Sequence, residues 1–305
     1  MSGECDLNGV HQFNGDTLEV TTKVKADFEK FGYIVIRKLL DAEEVDKVFK
    51  QFEDPTTAEL LNKNKVQVSD CQGREAKLTI WGHPGNDIIG MVSRSEKVAG
   101  TCEKLLGDEV YHYHGKLVTK EPFTGGAHLW HQDYGYWYIN EFLEPNMMTV
   151  FIALDKCEKT NGCLQIVESS HKCGRLDHKL EGQLTVTDPI RLEKIMDRFP
   201  MKYCLLNPGD ALFFHCNLLH CSGQNSSANR RWALLTAYNT VQNRSCKPHH
   251  HPQYQRLEKV SNSAIKHCEN LTDFTKKRIL VPRTLDSKQV ISQMPEECKE
   301  QDKRT

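Results

Sequence analysis

The chain has 305 residues, of which 38% are hydrophobic and 27% charged, and this composition is typical of a water-soluble globular protein. Its formal net charge of −1 gives no electrostatic reason to bind nucleic acid or an anionic membrane. No stretch approaches the roughly 18 consecutive apolar residues of a membrane helix, and the first twenty residues hold no signal-like apolar segment. We therefore expect a cytoplasmic protein without nucleic-acid or membrane partners.

The first third of the chain alternates between helix and strand signals. Residues 1–20 are polar and are expected to form a flexible segment. Apolar residues at helical spacing then end at Gly32, and the run YIVIRKLL predicts a strand. Asp41 followed three residues later by Glu44 has the spacing of a capping box, which predicts that a second helix begins there. Together these signals indicate a helical N-terminal part over residues 22–108.

The character of the chain becomes β-rich over residues 110–245. Six runs of β-branched, aromatic and aliphatic residues are separated there by Gly, Pro, Asn and Ser clusters. Many short strands divided by turns are typical of an antiparallel barrel or sandwich, with jelly rolls and cupin-like barrels among the candidates. Residues 246–285 are predicted to form a loop with a helix near 254–266, and residues 286–305 a charged tail.

The sequence HLWHQDYGYW places His131 and Asp133 two positions apart in a strand-like run. Side chains at i and i+2 of a strand leave the same face, roughly 6–7 Å apart, so imidazole and carboxylate would converge on a metal ion. A third ligand is expected from another strand, and His220 is the candidate. Two histidines and one carboxylate form the facial triad of non-haem Fe(II) oxygenases, which leaves coordination positions open.

An anion-binding group follows the third proposed ligand. Arg231 begins the apolar run RRWALLTAYNTV, eleven positions after His220. A guanidinium that enters an apolar barrel needs an anionic partner, and its planar fork fits a carboxylate. The distal carboxylate of a 2-oxoacid would supply that partner, and the hydroxyl of Ser222 is placed to add a hydrogen bond.

Two other histidine groups compete with this interpretation. His112 and His114 form a His-x-His pair with the same strand geometry, which cupins use for metal binding, but cross-strand packing or hydrogen bonding to a metal ligand is the favoured explanation. The run His249, His250 and His251 precedes a proline and is typical of a solvated loop, an adventitious metal site or a lid near the barrel mouth.

Four segments together resemble the phytanoyl-CoA dioxygenase family of Fe(II)/2-oxoglutarate oxygenases, which includes the ectoine hydroxylases. They occur in family order and read FEKFGYIVIRKLLDAEEV, KEPFTGGAHLWHQDYGYW, NGCLQIVESSHK and HCSGQNSSANRRWAL. The resemblance implies that His131, Asp133 and His220 hold iron and that Arg231 clamps 2-oxoglutarate. It also implies that Trp137 lines the co-substrate pocket and that Lys120 helps to hold the co-substrate, these two being implied by the resemblance alone.

The resemblance implies a double-stranded β-helix, a jelly-roll barrel that forms one domain over residues 21–285 with helices packed outside it. The implied function is a dioxygenase that uses Fe(II), 2-oxoglutarate and O₂ to hydroxylate an unactivated C–H bond of a small organic substrate, releasing succinate and CO₂. Because halogenating relatives lack the carboxylate ligand, the presence of Asp133 favours hydroxylation.

Two alternatives remain open at this stage. The first is a non-catalytic metal- or ligand-binding protein with the same barrel, against which the complete ligand set and Arg231 count. The second is a zinc hydrolase that uses the same ligands, against which the lack of a glutamate beside His131 as a general base counts.

Overall fold

The computed structural model describes residues 7–14, 19–70, 73–181, 184–247, 249, 251–271 and 273–280. Its strands form a nine-stranded sheet, a four-stranded sheet and a separate two-stranded pair. In chain order the strands are β1 (Val10–Gln12), β2 (Tyr33–Arg37), β3 (Val66–Ser69), β4 (Glu75–Trp81), β5 (Val110–Lys120), β6 (His128–His131), β7 (Met147–Ala153), β8 (Leu164–Val167), β9 (His178–Glu181), β10 (Leu184–Thr187), β11 (Met201–Tyr203), β12 (Ala211–His215), β13 (His220–Ser222), β14 (Arg231–Thr240) and β15 (Ile279–Leu280).

Most of the helices precede the central strands. Those of the described residues are α1 (Thr22–Phe31), α2 (Ala42–Glu53), α3 (Pro55–Asn64), α4 (Ile88–Arg94), α5 (Thr101–Leu106), α6 (Asp133–Trp137), α7 (Pro189–Met196) and α8 (Ala264–His267). The predicted end of α1 and the predicted start of α2 are confirmed. Helix α1 ends at Gly32, which is in the left-handed conformation (φ 79°), and Asp41 and Glu44 form the capping box at the start of α2.

The large sheet has the order β1-β2-β12-β7-β14-β5-β4-β15, with β3 also paired to β4, and the small sheet has the order β11-β8-β13-β6. Every pair is antiparallel except β1 with β2. This is the predicted mainly β jelly roll with flanking helices. The described strands remain two separate sheets, so the expected cupin-like barrel is open rather than closed by hydrogen bonds.

The large sheet is buried on both faces. Along β12, Leu212 and Phe214 point into an inner core shared with Ile166 of the small sheet, whereas Ala211 and Phe213 join an outer core. That outer core contains apolar residues from α1 to α4. Because both faces are covered, the central strands read as continuous apolar runs, and the space between the sheets is the site of the functional groups.

Two expectations for the ends of the domain need correction. Within the segment expected to be flexible, Val10–Gln12 pairs in parallel with β2, because Val35 N–H donates to Gly9 O at 2.9 Å. The helix expected near 254–266 is limited to α8, since Val260 instead pairs with the backbone of Arg94 and Ser95. The proposed tail, residues 286–305, lies outside the described residues. None of the helices described is long and apolar enough to cross a membrane.

Candidate metal and co-substrate site

The two predicted histidine ligands lie opposite each other in the small sheet. Strands β6 and β13 pair antiparallel with His131 directly across from His220. Their ring centroids are 4.2 Å apart. The register of this pair shifts between His220 and Ser222, which is the local irregularity of a β-bulge.

Backbone carbonyls fix the tautomer of both imidazoles. His131 Nδ1 lies 2.7 Å from Leu129 O, and His220 Nδ1 lies 2.9 Å from Leu218 O. A carbonyl oxygen only accepts, so Nδ1 carries the proton in each ring and Nε2 keeps its lone pair. Each Nε2 lies 4.0 Å from Oδ1 of Asp133, so both lone-pair nitrogens face the same carboxylate oxygen. This arrangement is typical of histidines that ligate a metal through Nε2.

Asp133 reaches the site by a different local structure from the one expected. The strand ends at His131, and Asp133 is the first residue of α6, so the pair is not a same-face pair of one strand. The carboxylate is instead aimed by its hydrogen bonds: Thr149 Oγ1 donates to Oδ2 and the Tyr136 hydroxyl donates to Oδ1, both at 2.7 Å. Oδ1 is thereby held between the two imidazoles.

The electrostatics of the three groups suit a metal cation. Burial lowers the pKa of His131 to about 3 and also lowers that of His220, so both rings are neutral ligands at neutral pH. Burial alone would raise the pKa of Asp133, but His220, Lys116 and the Tyr136 hydrogen bond outweigh it and lower that pKa to about 2. The carboxylate is therefore ionised.

The ligand atoms of these three residues all lie within 4.8 Å of one another. They are the one group of this kind that the described ranges contain. Two neutral imidazoles and one carboxylate fit the 2-His-1-carboxylate set for non-haem Fe(II).

Arg231 and Lys120 form a buried cationic pair on the face of the large sheet that carries the inner core. They are cross-strand partners in β14 and β5, and both are at most 1% exposed. Arg231 Nε has no hydrogen-bond partner, and its guanidinium lies 5.7 Å from the Phe151 ring centroid. Burial lowers the pKa of both side chains, and the Arg231 charge lowers that of Lys120 further. A buried guanidinium with an unsatisfied N–H fits an anionic ligand, as the sequence predicted.

Ser222 and Lys120 lie close together, as expected. Lys120 Nζ donates to Ser222 O at 3.4 Å and to Gly223 O, which ties β5 to the end of β13. Ser222 is buried and lies across from His128 in β6. Thus the structure brings Ser222 beside the cationic pair, while the role of its hydroxyl stays a prediction.

Trp137 lies in an aromatic cluster beside the triad. Its ring makes edge contacts with Tyr113 at 5.3 Å, His114 at 5.6 Å and Tyr136 at 5.9 Å between centroids. Tyr136 in turn donates to Asp133. The structure therefore connects Trp137 to the triad through Tyr136, and its contact with a co-substrate remains a prediction.

A bulge rules out His112 and His114 as a same-face pair. In the pairing of β5 with β14, Ala237 lies across from His114 but the next residue, Tyr238, lies across from His112. Tyr113 is the extra residue, so His114 faces the inner aromatic cluster whereas His112 packs beside Tyr238 of the outer core. The rival cupin-like site is therefore absent from this part of the structure.

The C-terminal histidine run packs on the aromatic cluster. His251 lies 4.6 Å and His249 6.0 Å from Tyr113 between ring centroids, and His251 also contacts His114. His250 lies outside the described residues. Contact with Tyr113 places His249 and His251, both half-buried, against the aromatic cluster beside the triad.

Sequence reasoning missed the groups that hold the ligands in place. Gln132, between two ligands, is fully buried; its side chain donates to Gly174 O and Asn217 O and accepts from Leu176 N–H. Its own N–H donates to His178 Nε2 at 2.9 Å. These contacts are long-range in sequence, and no local pattern signals them. The Tyr136 contact would have followed from i, i+3 spacing if α6 had been expected.

Comparisons with known proteins agree with this geometry. The sequence model of the family described as Phytanoyl-CoA dioxygenase (PhyH) matches residues 28–233. The chain is 27% identical over 234 residues to an ectoine dioxygenase of Streptomyces coelicolor, covering 72% of this chain and 78% of that protein. It is 25% identical over 241 residues to an L-proline trans-4-hydroxylase of Streptomyces griseoviridis, covering 73% and 88%.

Among solved structures, EctD from S. alaskensis with bound Fe has a TM-score of 0.65 and 22% identity, covering 83% of this chain and 91% of that chain. At this identity the likeness establishes the jelly-roll fold. The family model matches more than half of the residues, so the chain belongs to the phytanoyl-CoA dioxygenase (PhyH) family.

Proposed function

We propose that this protein is an Fe(II)- and 2-oxoglutarate-dependent dioxygenase that hydroxylates an unactivated C–H bond of a small organic substrate. The observation that carries the proposal is the convergence of His131 Nε2 and His220 Nε2 on Asp133 Oδ1. Each imidazole is oriented by a hydrogen bond from its Nδ1–H to a backbone carbonyl, and the carboxylate by hydrogen bonds from the Thr149 and Tyr136 hydroxyls. The names of the ectoine dioxygenase and proline hydroxylase relatives support the reaction type.

His131, Asp133 and His220 would hold the iron, and Thr149 and Tyr136 would keep the carboxylate pointed at it. Bound iron with 2-oxoglutarate supplies O₂ activation, which protein side chains alone do not provide. The protein's part is to align the reactants and to keep the site shielded from bulk water.

Arg231 would bind the distal carboxylate of 2-oxoglutarate. Its guanidinium is buried with an unpaired Nε, and Lys120 adds a second positive charge across the strand pair. Ser222 and Trp137 are proposed as further co-substrate contacts because they lie beside Lys120 and Tyr136 respectively. A carboxylate placed here exchanges an unsatisfied buried cation for a charge-assisted pair.

We further propose that residues 21–285 form one dioxygenase domain and that the protein acts in the cytoplasm on a small molecule, without nucleic-acid or membrane partners. The family match and the shared inner core support the single domain. All nine cysteines within the described ranges are free thiols, which favours a reducing compartment.

The test is conversion of 2-oxoglutarate to succinate by purified protein supplied with Fe(II) and O₂. His131→Ala is compared with His215→Ala, since His215 is a half-buried histidine outside the proposed ligand set whose ring contacts Phe28 and His171. The proposal expects slow uncoupled turnover in the wild type and in His215→Ala, and none in His131→Ala. Equal turnover in both variants would contradict it.

A further inference from the structure

Lys116 faces the space between the metal triad and the pair formed by Lys120 and Arg231. On β5 it lies across from Leu235, which packs on the inner core, whereas the next residue, Leu117, belongs to the outer core. Side chains alternate along a strand, so Lys116 shares the inner face with Lys120. It lies four residues, about 13 Å along the strand, from the Lys120 and Arg231 pair.

The other direction along β5 leads to the triad. His114, two residues or about 7 Å from Lys116, is level with Ala237 of β14 and Thr149 of β7. Thr149 is the residue that donates to Asp133. Measured along the strand direction, Lys116 therefore lies nearer to the level of Thr149 than to the level of Lys120 and Arg231.

No hydrogen bond or salt bridge to the Lys116 side chain is present within the described ranges. Its pKa is lowered by burial, while the charge of Asp133 opposes that shift, so the ammonium lies within electrostatic range of a ligand carboxylate but not in contact with it. Lys116 also contributes to lowering the pKa of His128, on the facing sheet, although burial is the main cause. A cation in such a place is costly unless an anion joins it.

The charges along this wall do not balance. Lys116, Lys120 and Arg231 stand against the carboxylate of Asp133. Asp155, whose charge acts on Arg231, is already paired with Arg230. Fe(II) and the 2-oxoglutarate dianion together add no net charge. With the 2-oxoglutarate carboxylates directed to the iron and to Arg231, Lys120 and Lys116 are both left without an anionic partner. The Lys120 ammonium donates to the carbonyls of Ser222 and Gly223, whereas the described residues offer the Lys116 ammonium no such partner.

We propose that Lys116 binds a carboxylate of the primary substrate, so that the protein acts on a small free acid and not on its ester, amide or thioester. This inference rests on the proposed function and names the substrate class of the same site. Lys116 lies about 7 Å along the strand from the level of Thr149, the residue that donates to Asp133. A carboxylate bound to the ammonium and a C–H bond facing the metal site would therefore be only a few bonds apart in one small molecule.

The test uses the full chain loaded anaerobically with Fe(II) and 2-oxoglutarate, and compares Lys116→Met, Lys116→Arg and wild type. Lys77→Met is the matched control, because Lys77 lies on the neighbouring strand β4 beside the outer core. The probes are small carboxylic acids, L-proline among them, each paired with its primary amide, and calorimetry measures their dissociation constants.

We expect wild type and Lys77→Met to bind at least one acid about 10-fold or more tighter than its amide, the range of a charge-assisted hydrogen bond. Lys116→Met should lose that preference, and Lys116→Arg should retain part of it. The dissociation constant of 2-oxoglutarate should stay within about threefold of wild type in Lys116→Met, but rise more than tenfold in Arg231→Met.

Equal binding of acids and amides, or no binding of any acid to the wild type, would overturn the inference. A rise in the 2-oxoglutarate constant of Lys116→Met that matches Arg231→Met would also overturn it, because Lys116 would then belong to the co-substrate site. If wild type fails to bind 2-oxoglutarate in the presence of Fe(II), the proposed function itself fails, so the two failures are distinguishable.

Discussion

Replacing Thr149 by valine removes one hydrogen bond to a metal ligand and leaves the shape of the core almost unchanged. Thr149 is 2% exposed, and its hydroxyl donates to Asp133 Oδ2 at 2.7 Å. A hydrogen bond to a charged group contributes about 1.5–3 kcal/mol, which corresponds to about a 10- to 150-fold change in an equilibrium constant. Without it the carboxylate is held by the Tyr136 hydrogen bond alone, so Oδ1 is less firmly fixed between the imidazoles. We therefore expect Thr149→Val to weaken Fe(II) binding about 10- to 100-fold.

The assay is an anaerobic Fe(II) titration of the metal-free protein, with circular dichroism to confirm that each variant is folded. Thr149→Ser is the matched control, because it keeps the hydroxyl and loses a methyl group. It should bind Fe(II) within about threefold of wild type. If Thr149→Val binds Fe(II) as tightly as wild type, or if both variants lose affinity equally, the hydrogen bond to Asp133 does not orient the ligand and the reasoning is refuted.

Three further predictions concern other contacts of the site and core. Tyr136→Phe removes the 2.7 Å hydrogen bond to Asp133 Oδ1 and should weaken Fe(II) binding about tenfold in the same titration; unchanged affinity would exclude this role. Gln132→Leu leaves three backbone groups unsatisfied and should lower the free energy of unfolding in urea by about 3 kcal/mol, whereas a loss below about 1 kcal/mol would contradict the network. Burial lowers the pKa of His112 from 6.5 to about 3, so the unfolded state binds a proton that the folded state does not, and metal-free protein should lose up to about 1.4 kcal/mol per pH unit from this residue as the pH falls from 6.5 towards 3. His112→Gln should flatten that slope in urea unfolding measured at several pH values, and an unaltered slope would show that His112 is protonated in the folded state.

Local signals in the sequence were sufficient for the elements that depend on neighbouring residues. The end of α1 at Gly32 and the capping box of α2 at Asp41 and Glu44 are encoded within a few positions, and the structure has both. The apolar run of β12 predicted a strand, and the structure buries that strand on both faces between the two cores. The three candidate triad residues came from the spacing of His131 and Asp133, from the histidine at position 220 and from the family resemblance, and the structure brings their side chains together.

The sequence did not predict how the triad is held. The turn from β6 into α6 depends on close packing: at Gly135 a Cβ would lie 2.1 Å from the His178 ring, a residue far along the chain. The bulge at Tyr113 that separates His112 from His114 depends on pairing with β14, more than a hundred residues later. Such features arise from the registry of distant strands, and no spacing rule within one segment reports them.

We propose that one site holds Fe(II) through His131, Asp133 and His220 and 2-oxoglutarate through Arg231. Its most direct test is the visible metal-to-ligand charge-transfer band on anaerobic addition of Fe(II) and 2-oxoglutarate to metal-free protein. We expect the band in the wild type and its loss in Asp133→Ala. In Arg231→Ala the band should appear only at a much higher concentration of 2-oxoglutarate. A folded wild type without the band, or an Asp133→Ala variant with an undiminished one, would contradict it and favour a non-catalytic barrel.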